Sequence, residues 1–271
     1  MNLGELMQDP FAAAARPSFA DLLRTQVPQA YEQTMKSVEG ALPAHADGTT
    51  VLALTFSGGP NGDGVIVAAD RRATTGHTIS KRDVRKVFEA DAWSAVAIAG
   101  SAGPAIELAR IFATELEHYE KVEGSPLSLE GKSNKLAQMV RAHLPMAMQG
   151  LVVVPLFAGY DPASSRARIY EFDPVGGRYE EQRFATNGSG GRDARGSLKA
   201  RYRTDLDVDQ AAAVAIEALW DAADEDAATG GPDVVRGIYP LVTVIDADGY
   251  RELPEDQVAS LVEDTIAQRR A

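Results

Sequence analysis

Thr49 to Asp70 reads TTVLALTFSGGPNGDGVIVAAD. Thr49 to Phe56 and Val65 to Asp70 are β-branched or apolar runs, and the intervening SGGPNGDG carries the glycines, proline and Asn-Gly pair of hairpin chemistry. Further strands are expected at Lys86 to Phe88 and Ser94 to Ala99. After Gly100-Ser101-Ala102-Gly103-Pro104 the apolar spacing changes from two to 3.6. Ile106, Leu108, Ile111, Phe112, Leu116 and Tyr119 mark one helix, and Leu136 to Met148 a second that bends or ends near Pro145. The second half repeats this order. Strands are expected at Leu151 to Tyr160, Ala167 to Asp173 and Arg178 to Ala185, then helices near Asp193 to Tyr202 and Val208 to Ala223. A strand Leu241 to Ile245, the turn Asp246-Ala247-Asp248-Gly249, a strand Tyr250 to Leu253 and a helix Glu255 to Arg269 follow. Strands in groups followed by helices in groups do not alternate as βαβ units do. The pattern predicts an α+β domain of antiparallel sheets covered by helices.

Upstream, residues 1–48 differ in kind, with Pro10, Pro17, Pro28 and Pro43, many small residues and no strand-like run. A partly amphipathic helix from Phe19 to Met35 would be interrupted at Pro28, so the segment reads as a loosely structured leader ending at HADG.

The 271 residues carry 27 Lys+Arg against 39 Asp+Glu, a formal net charge of −12. Phosphate neutralisation needs a basic face, so this charge speaks against a nucleic-acid partner. No run approaches the roughly 20 apolar residues of a membrane span, and Leu151 to Gly159 is broken by Pro155. Glu5 and Asp9 stand where a secretory signal would be basic, so no export and no membrane partner are expected. The absence of cysteine removes disulfides and thiolate chemistry together and fits a reducing, cytoplasmic location. His45, His77, His118 and His143 are scattered without metal-ligand spacing, so no metal site is expected; neither a phosphate loop, a dinucleotide fingerprint nor a GxSxG elbow occurs, and no cofactor is expected.

The junction Gly48-Thr49-Thr50 is the most informative for chemistry. A threonine hydroxyl is a weak nucleophile, but at a chain start its own α-amine, with a pKa of about 7.7 to 8.0, can act as the base. Cutting after Gly48 would create that arrangement, and glycine permits the bent backbone that self-cleavage needs. Gly-Thr-Thr before a strand is also an ordinary strand start. Asp70, ending one strand, and Lys86, starting another, could tune and hold the ammonium, or form a strand-end ion pair. Ala97 to Gly103 puts a glycine N–H between a buried strand and a helix, suited either to an oxyanion or to a tight turn. Asn187-Gly188-Ser189-Gly190-Gly191 and Asp226-Ala227-Ala228-Thr229-Gly230-Gly231 are polar loops that also read as caps and turns.

Taken in order, GTTVLAL, AADRRAT, KVF, AIAGSAG, NGSGG, DAATGG and IDADGY resemble the β-type subunits of the proteasome core particle, of the actinobacterial kind, from Thr49 to about the last helix. The resemblance implies the four-layer αββα sandwich of N-terminal nucleophile hydrolases, with residues 1–48 a propeptide and 49–271 the threonine peptidase domain. It implies Thr49 as nucleophile, Asp70 and Lys86 beside it, and Ser189, Asp226 and Thr229 around its amine. Gly100 would supply the oxyanion-hole N–H. Thr74 would align the substrate as an added strand. Ala73, Val84, Phe88, Ile98, Ala102 and Ile106 would line an apolar specificity pocket. Gly191 stands where many members of the family have a second serine. The implied partners are α-type subunits, other β subunits in seven-membered rings, a ring ATPase and pupylated substrates. A catalytically silent ring subunit, and a simpler two-ring bacterial threonine peptidase, are the alternatives.

Overall fold

A computed structural model describes residues 48–59 and 62–270. The leader, including its expected helix from Phe19 to Met35, lies outside the described residues but for Gly48.

Among the described residues, twelve strands make two five-stranded antiparallel sheets and one small hairpin. The first sheet has the order β10-β1-β2-β11-β12, with β1 at Thr50–Gly59, β2 at Gly62–Ala69, β10 at Phe184–Gly188, β11 at Leu241–Asp246 and β12 at Gly249–Glu252. The second has the order β5-β6-β7-β8-β9: Val87–Asp91, Ser94–Gly100, Val153–Asp161, Arg166–Phe172 and Arg178–Glu181. The hairpin pairs β3, Ala73–Thr75, with β4, Thr78–Lys81. The helices of the described residues are α1 (Ala102–Glu123), α2 (Leu129–Ala142), the short α3 (Leu144–Ala147), α4 (Gly191–Arg201), α5 (Val208–Glu225) and α6 (Glu255–Arg270).

Strand alternation sorts the apolar residues into three cores, which define four layers. Val51 and Ala53 of β1, with Val65, Val67 and Ala69 of β2, face the other sheet and meet Val87, Ala95, Ala97, Leu156, Ala158 and Ile169. The other face of β1, Leu52, Leu54 and Phe56, packs with Ile66 and Val244 against Leu198 of α4, Ala215, Ile216 and Leu219 of α5, and Val258 and Val262 of α6. Beyond the second sheet, Val96, Ile98, Phe157 and Tyr170 pack against Leu108, Phe112 and Leu116 of α1 and Leu136 and Val140 of α2. The predicted αββα sandwich is therefore the observed fold.

Three local expectations are corrected. Arg178 to Ala185 is not one strand: Arg178–Glu181 pairs with β8 in the second sheet, whereas Phe184–Gly188 pairs with β1 in the first. The chain changes sheets at Gln182 and Arg183, a bend that hydropathy does not mark because both pieces alternate alike. The hairpin after Asp70 was not expected as strands; Gly76, at φ 58°, turns it. Helix α2 begins at Leu129, where the Ser128 side chain accepts from the Gly131 N–H, seven residues before the apolar spacing becomes clear. Its first turns bury Lys132, paired with Asp91, and Ser133, so polar residues occupy core-facing positions there.

Candidate active site

Thr49 lies where the two sheets end side by side, and two polar clusters converge on it, one buried and one partly open to solvent. The first is centred on Asp70, just past β2. Its Oδ1 accepts from Lys86 Nζ at 2.6 Å and from the Thr50 N–H at 2.9 Å; its Oδ2 accepts from the N–H groups of Arg72 at 2.9 Å and Gly230 at 2.8 Å. Asp70 is fully buried and Lys86 is 3% exposed. Removing both charges from water costs several kcal/mol per ion, about as much as the pair regains only when the remaining lone pairs are also satisfied, which here they are.

The second cluster is built from two loops. Ser189, at the turn from β10 into α4, donates its N–H to the Thr49 carbonyl at 2.8 Å, and its Oγ lies 3.3 Å from the Thr49 nitrogen. The same hydroxyl reaches Asp226 Oδ2 at 2.5 Å, and Thr229 Oγ1 reaches that oxygen at 2.6 Å. Burial opposes ionisation of Asp226, but the hydrogen bonds from Ser189, Thr229 and the Ala228 N–H, with the field of Lys86, outweigh it and hold the carboxyl below its ordinary value. Asp226 directly follows α5, whose last turn delivers it: its N–H bonds the Ala222 carbonyl.

On the opposite side of Thr49 is a small cleft, lined also by Ala73, Val84, Arg85, Lys86, Ile98, Gly100, Ala102, Ala105 and Ile106. Five of the six residues expected to make an apolar pocket are there. Phe88 is not among them; it is half-buried and packs against the core between the second sheet and α1. Gly100 ends β6 at φ 102°, and a Cβ there would lie 2.1 Å from the Val152 oxygen. The Ile98 N–H points to the β5 side, bonding the Lys86 carbonyl. Strand alternation turns the Gly100 N–H to the same side, beyond the start of β5 and towards the cleft. A wider groove of about 310 Å³, lined by Thr55, Arg166, Glu180 and Arg183 among others, lies farther along β1, where the Thr55 and Ser57 hydroxyls donate to the carbonyls of Arg183 and Thr204.

Gly48 precedes this junction in contact with the β3–β4 hairpin and the Asp226–Thr229 loop. Its N–H donates to Thr74 Oγ1 at 3.1 Å, and a Cβ on it would lie 1.8 Å from the Cβ of Ala228. The expected residues Thr49, Asp70, Lys86, Ser189, Asp226 and Thr229 thus converge, with Thr74 beside Gly48. Sequence reasoning missed Thr50, Ala105 and the backbone donors of Arg72, Ala228 and Gly230. Thr50 had a signal: in β1 it shares a face with Leu52 and Leu54, so it is a polar residue on a core-facing position.

The profile described as Proteasome subunit matches residues 46–236. The proteasome subunit beta of Acidothermus cellulolyticus is 50% identical over 273 residues, spanning 99% of this chain and 92% of that protein. That of Frankia casuarinae is 49% identical, spanning 97% and 98%, and that of Acidimicrobium ferrooxidans 51% identical, spanning 94% and 92%. The fold, the convergence on Thr49 and these relatives agree: the chain belongs to the proteasome subunit family, among its β-type members.

Proposed function

We propose that the chain is a threonine endopeptidase made as a proprotein, whose residues 1–48 are a propeptide removed by self-cleavage between Gly48 and Thr49. The observation that carries this reading is the surroundings of Thr49: Ser189 at its nitrogen, the Asp70–Lys86 pair on the same cleft, and Gly100 across from it. In the uncut chain the Thr49 nitrogen is an amide and cannot act as a base. Cleavage converts it to an amine, held by Ser189 and the Asp226 carboxylate.

The Thr49 hydroxyl then gives its proton to that amine, with the buried Lys86 ammonium disfavouring prior protonation. The oxygen attacks the substrate carbonyl carbon, and the Gly100 N–H stabilises the oxyanion. Collapse breaks the peptide bond, the departing amine takes the proton, and an ester on Thr49 remains for water to hydrolyse. In self-cleavage the Thr49 nitrogen is still an amide, so the hydroxyl proton passes to a water instead. Oγ1 attacks the Gly48 carbonyl carbon, and the Gly48–Thr49 C–N bond breaks with the departing Thr49 nitrogen taking the proton as an amine. Water hydrolyses the resulting ester, while the Thr74 hydroxyl holds the Gly48 N–H. The apolar walls Ala73, Val84, Ile98, Ala102 and Ile106 favour cleavage after hydrophobic residues.

As a β-type subunit the chain would assemble in seven-membered rings with α-type subunits outside, and a ring ATPase would feed in unfolded, pupylated proteins in the cytoplasm. Among the described residues no helix is long and apolar enough to cross a membrane. Mass analysis of particles assembled with an α-type subunit tests the reading. It requires a chain beginning at Thr49, cleavage of hydrophobic peptides, and loss of both with Thr49→Ala. A full-length chain with uncut peptides would favour the catalytically silent subunit instead.

A further inference from the structure

Thr50 follows the nucleophile candidate on the opposite face of β1 and is fully buried. All of its polar groups are engaged by residues of the site. Its N–H donates to Asp70 Oδ1 at 2.9 Å, and its carbonyl accepts from the Asp70 N–H at 3.1 Å. Its Oγ1 accepts from the Gly190 N–H at 3.0 Å and lies 2.6 Å from Thr229 Oγ1. The backbone approaches so closely that a Cβ on Gly190 would lie 2.6 Å from Thr50 Oγ1 and 2.7 Å from Thr229 Oγ1.

The direction of these bonds follows from Asp226. Ionised, that carboxylate only accepts, so the Thr229 hydroxyl spends its hydrogen on Asp226 Oδ2. Thr229 Oγ1 must then accept the hydrogen of Thr50, whose own oxygen accepts from Gly190. A chain of three donors runs Gly190, Thr50, Thr229 to the carboxylate that also receives the Ser189 hydroxyl. Each donor in such a chain polarises the next.

We propose that Thr50 is a positioning residue that links the Asp70–Lys86 pair to the Asp226–Ser189 cradle, its hydroxyl aiming Thr229 at Asp226 so that Ser189 is held against the Thr49 nitrogen. The proposal rests on Thr49 being the nucleophile. Thr50 itself lines no part of the cleft, so its effect falls on turnover and not on substrate binding. Its loss weakens the donor into Asp226, leaving more negative charge facing the Thr49 amine. Asp70, Lys86, Arg85 of the cleft lining and the Arg72 guanidinium, which bonds the Ala227 carbonyl, are the other charges near it among the described residues and are left in place. The amine then keeps its proton to higher pH.

The test uses assembled, processed particles carrying Thr50→Val, Thr50→Ser, Thr229→Val and the double Thr50→Val/Thr229→Val, assayed with a hydrophobic fluorogenic peptide. Thr50→Val is expected to lower kcat by about tenfold, the worth of one buried hydrogen bond, with KM unchanged and the acidic limb of the profile moved to higher pH. Thr50→Ser should restore both, and the double variant should be no worse than the poorer single one. If Thr50→Val does not assemble, Thr50→Ala, which leaves room for a bridging water, is read by the same criteria. Wild-type kcat and pH profile in Thr50→Val, a loss confined to KM, an equal loss in Thr50→Ser, or losses that multiply in the double variant would each overturn the proposal. Full activity of Thr49→Ala would instead sink the nucleophile reading itself.

Discussion

Lys86 and Asp70 form an ion pair with Nζ to Oδ1 at 2.6 Å, and neither side chain reaches solvent to any useful degree. One carboxylate here serves a lysine, the strand β1 through Thr50 and the loop at Gly230, so it fixes three segments around Thr49. Removing only the lysine strands a buried anion.

Lys86→Met is therefore expected to cost about 3 to 5 kcal/mol of stability, as breaking one partner of a buried pair does. It should also lower peptide hydrolysis by at least about a hundredfold, the contribution of a positioned acid–base group. Thermal unfolding and peptide assays separate the two effects. Adding Asp70→Asn to Lys86→Met should recover part of the stability and none of the activity. A double variant that regains turnover would mean that the pair is purely structural.

Gly48→Ala is expected to block removal of the leader, because its Cβ would be forced into that of Ala228 at 1.8 Å. The displaced carbonyl would leave the reach of Thr49. Ala228→Gly added to Gly48→Ala should restore part of the processing; part only, because the Ala228 Cα stands 2.8 Å from the same point. Intact-mass measurement on assembled particles gives the fraction cut. Normal processing of Gly48→Ala alone would refute the packing argument.

At Gly100 both space and conformation exclude a side chain. The φ of 102° lies where L-residues are strained by at least about 1 kcal/mol, and the Val152 oxygen lies only 2.1 Å from where the Cβ would stand. Gly100→Ala should shift the end of β6 and the N–H with it. Turnover is expected to fall by about a hundredfold or more, as for loss of an oxyanion donor. Unchanged kcat on processed particles carrying Gly100→Ala would assign the oxyanion to another donor.

What the residues disclosed in advance depended on how local the signal was. The alternation along TTVLALTF and the grouping of strands and helices pointed to antiparallel sheets covered by helices, while the four-layer αββα order came from the family resemblance. The sheet change at Gln182 and Arg183 was not legible, because strand pairing is decided by distant partners: β10 belongs with β1, more than 120 positions away. In the site, Asp70, Lys86 and Thr49 were each ordinary as single residues, and only their order in the family pattern singled them out. Phe88 has its place in the pocket only from that pattern; it packs on the same helix-side core as the cleft residues Ile98 and Ile106 without itself lining the cleft. Backbone donors such as the Gly230 N–H carry no side-chain signal at all, and the apolar face of β1 pointed to Thr50 only through its exception.

Asp226 supplies the pH test. Its carboxyl is held below the ordinary value of 3.8, hydrogen bonds from Ser189, Thr229 and Ala228 outweighing its partial burial. A depressed carboxyl contributes stability that is fully present above the unfolded value and is lost as pH falls through the folded one. Wild type should therefore exceed Asp226→Asn in thermal midpoint at neutral pH, with the gap closing as pH falls below about 3.8. The side chain is not deeply enclosed, so solvent screening keeps the gap small. The activity loss should be much larger than the stability loss, because the carboxylate orients both Ser189 and Thr229. A midpoint difference that stayed constant, or widened, on acidification would show that Asp226 gains nothing from these donors in the folded chain.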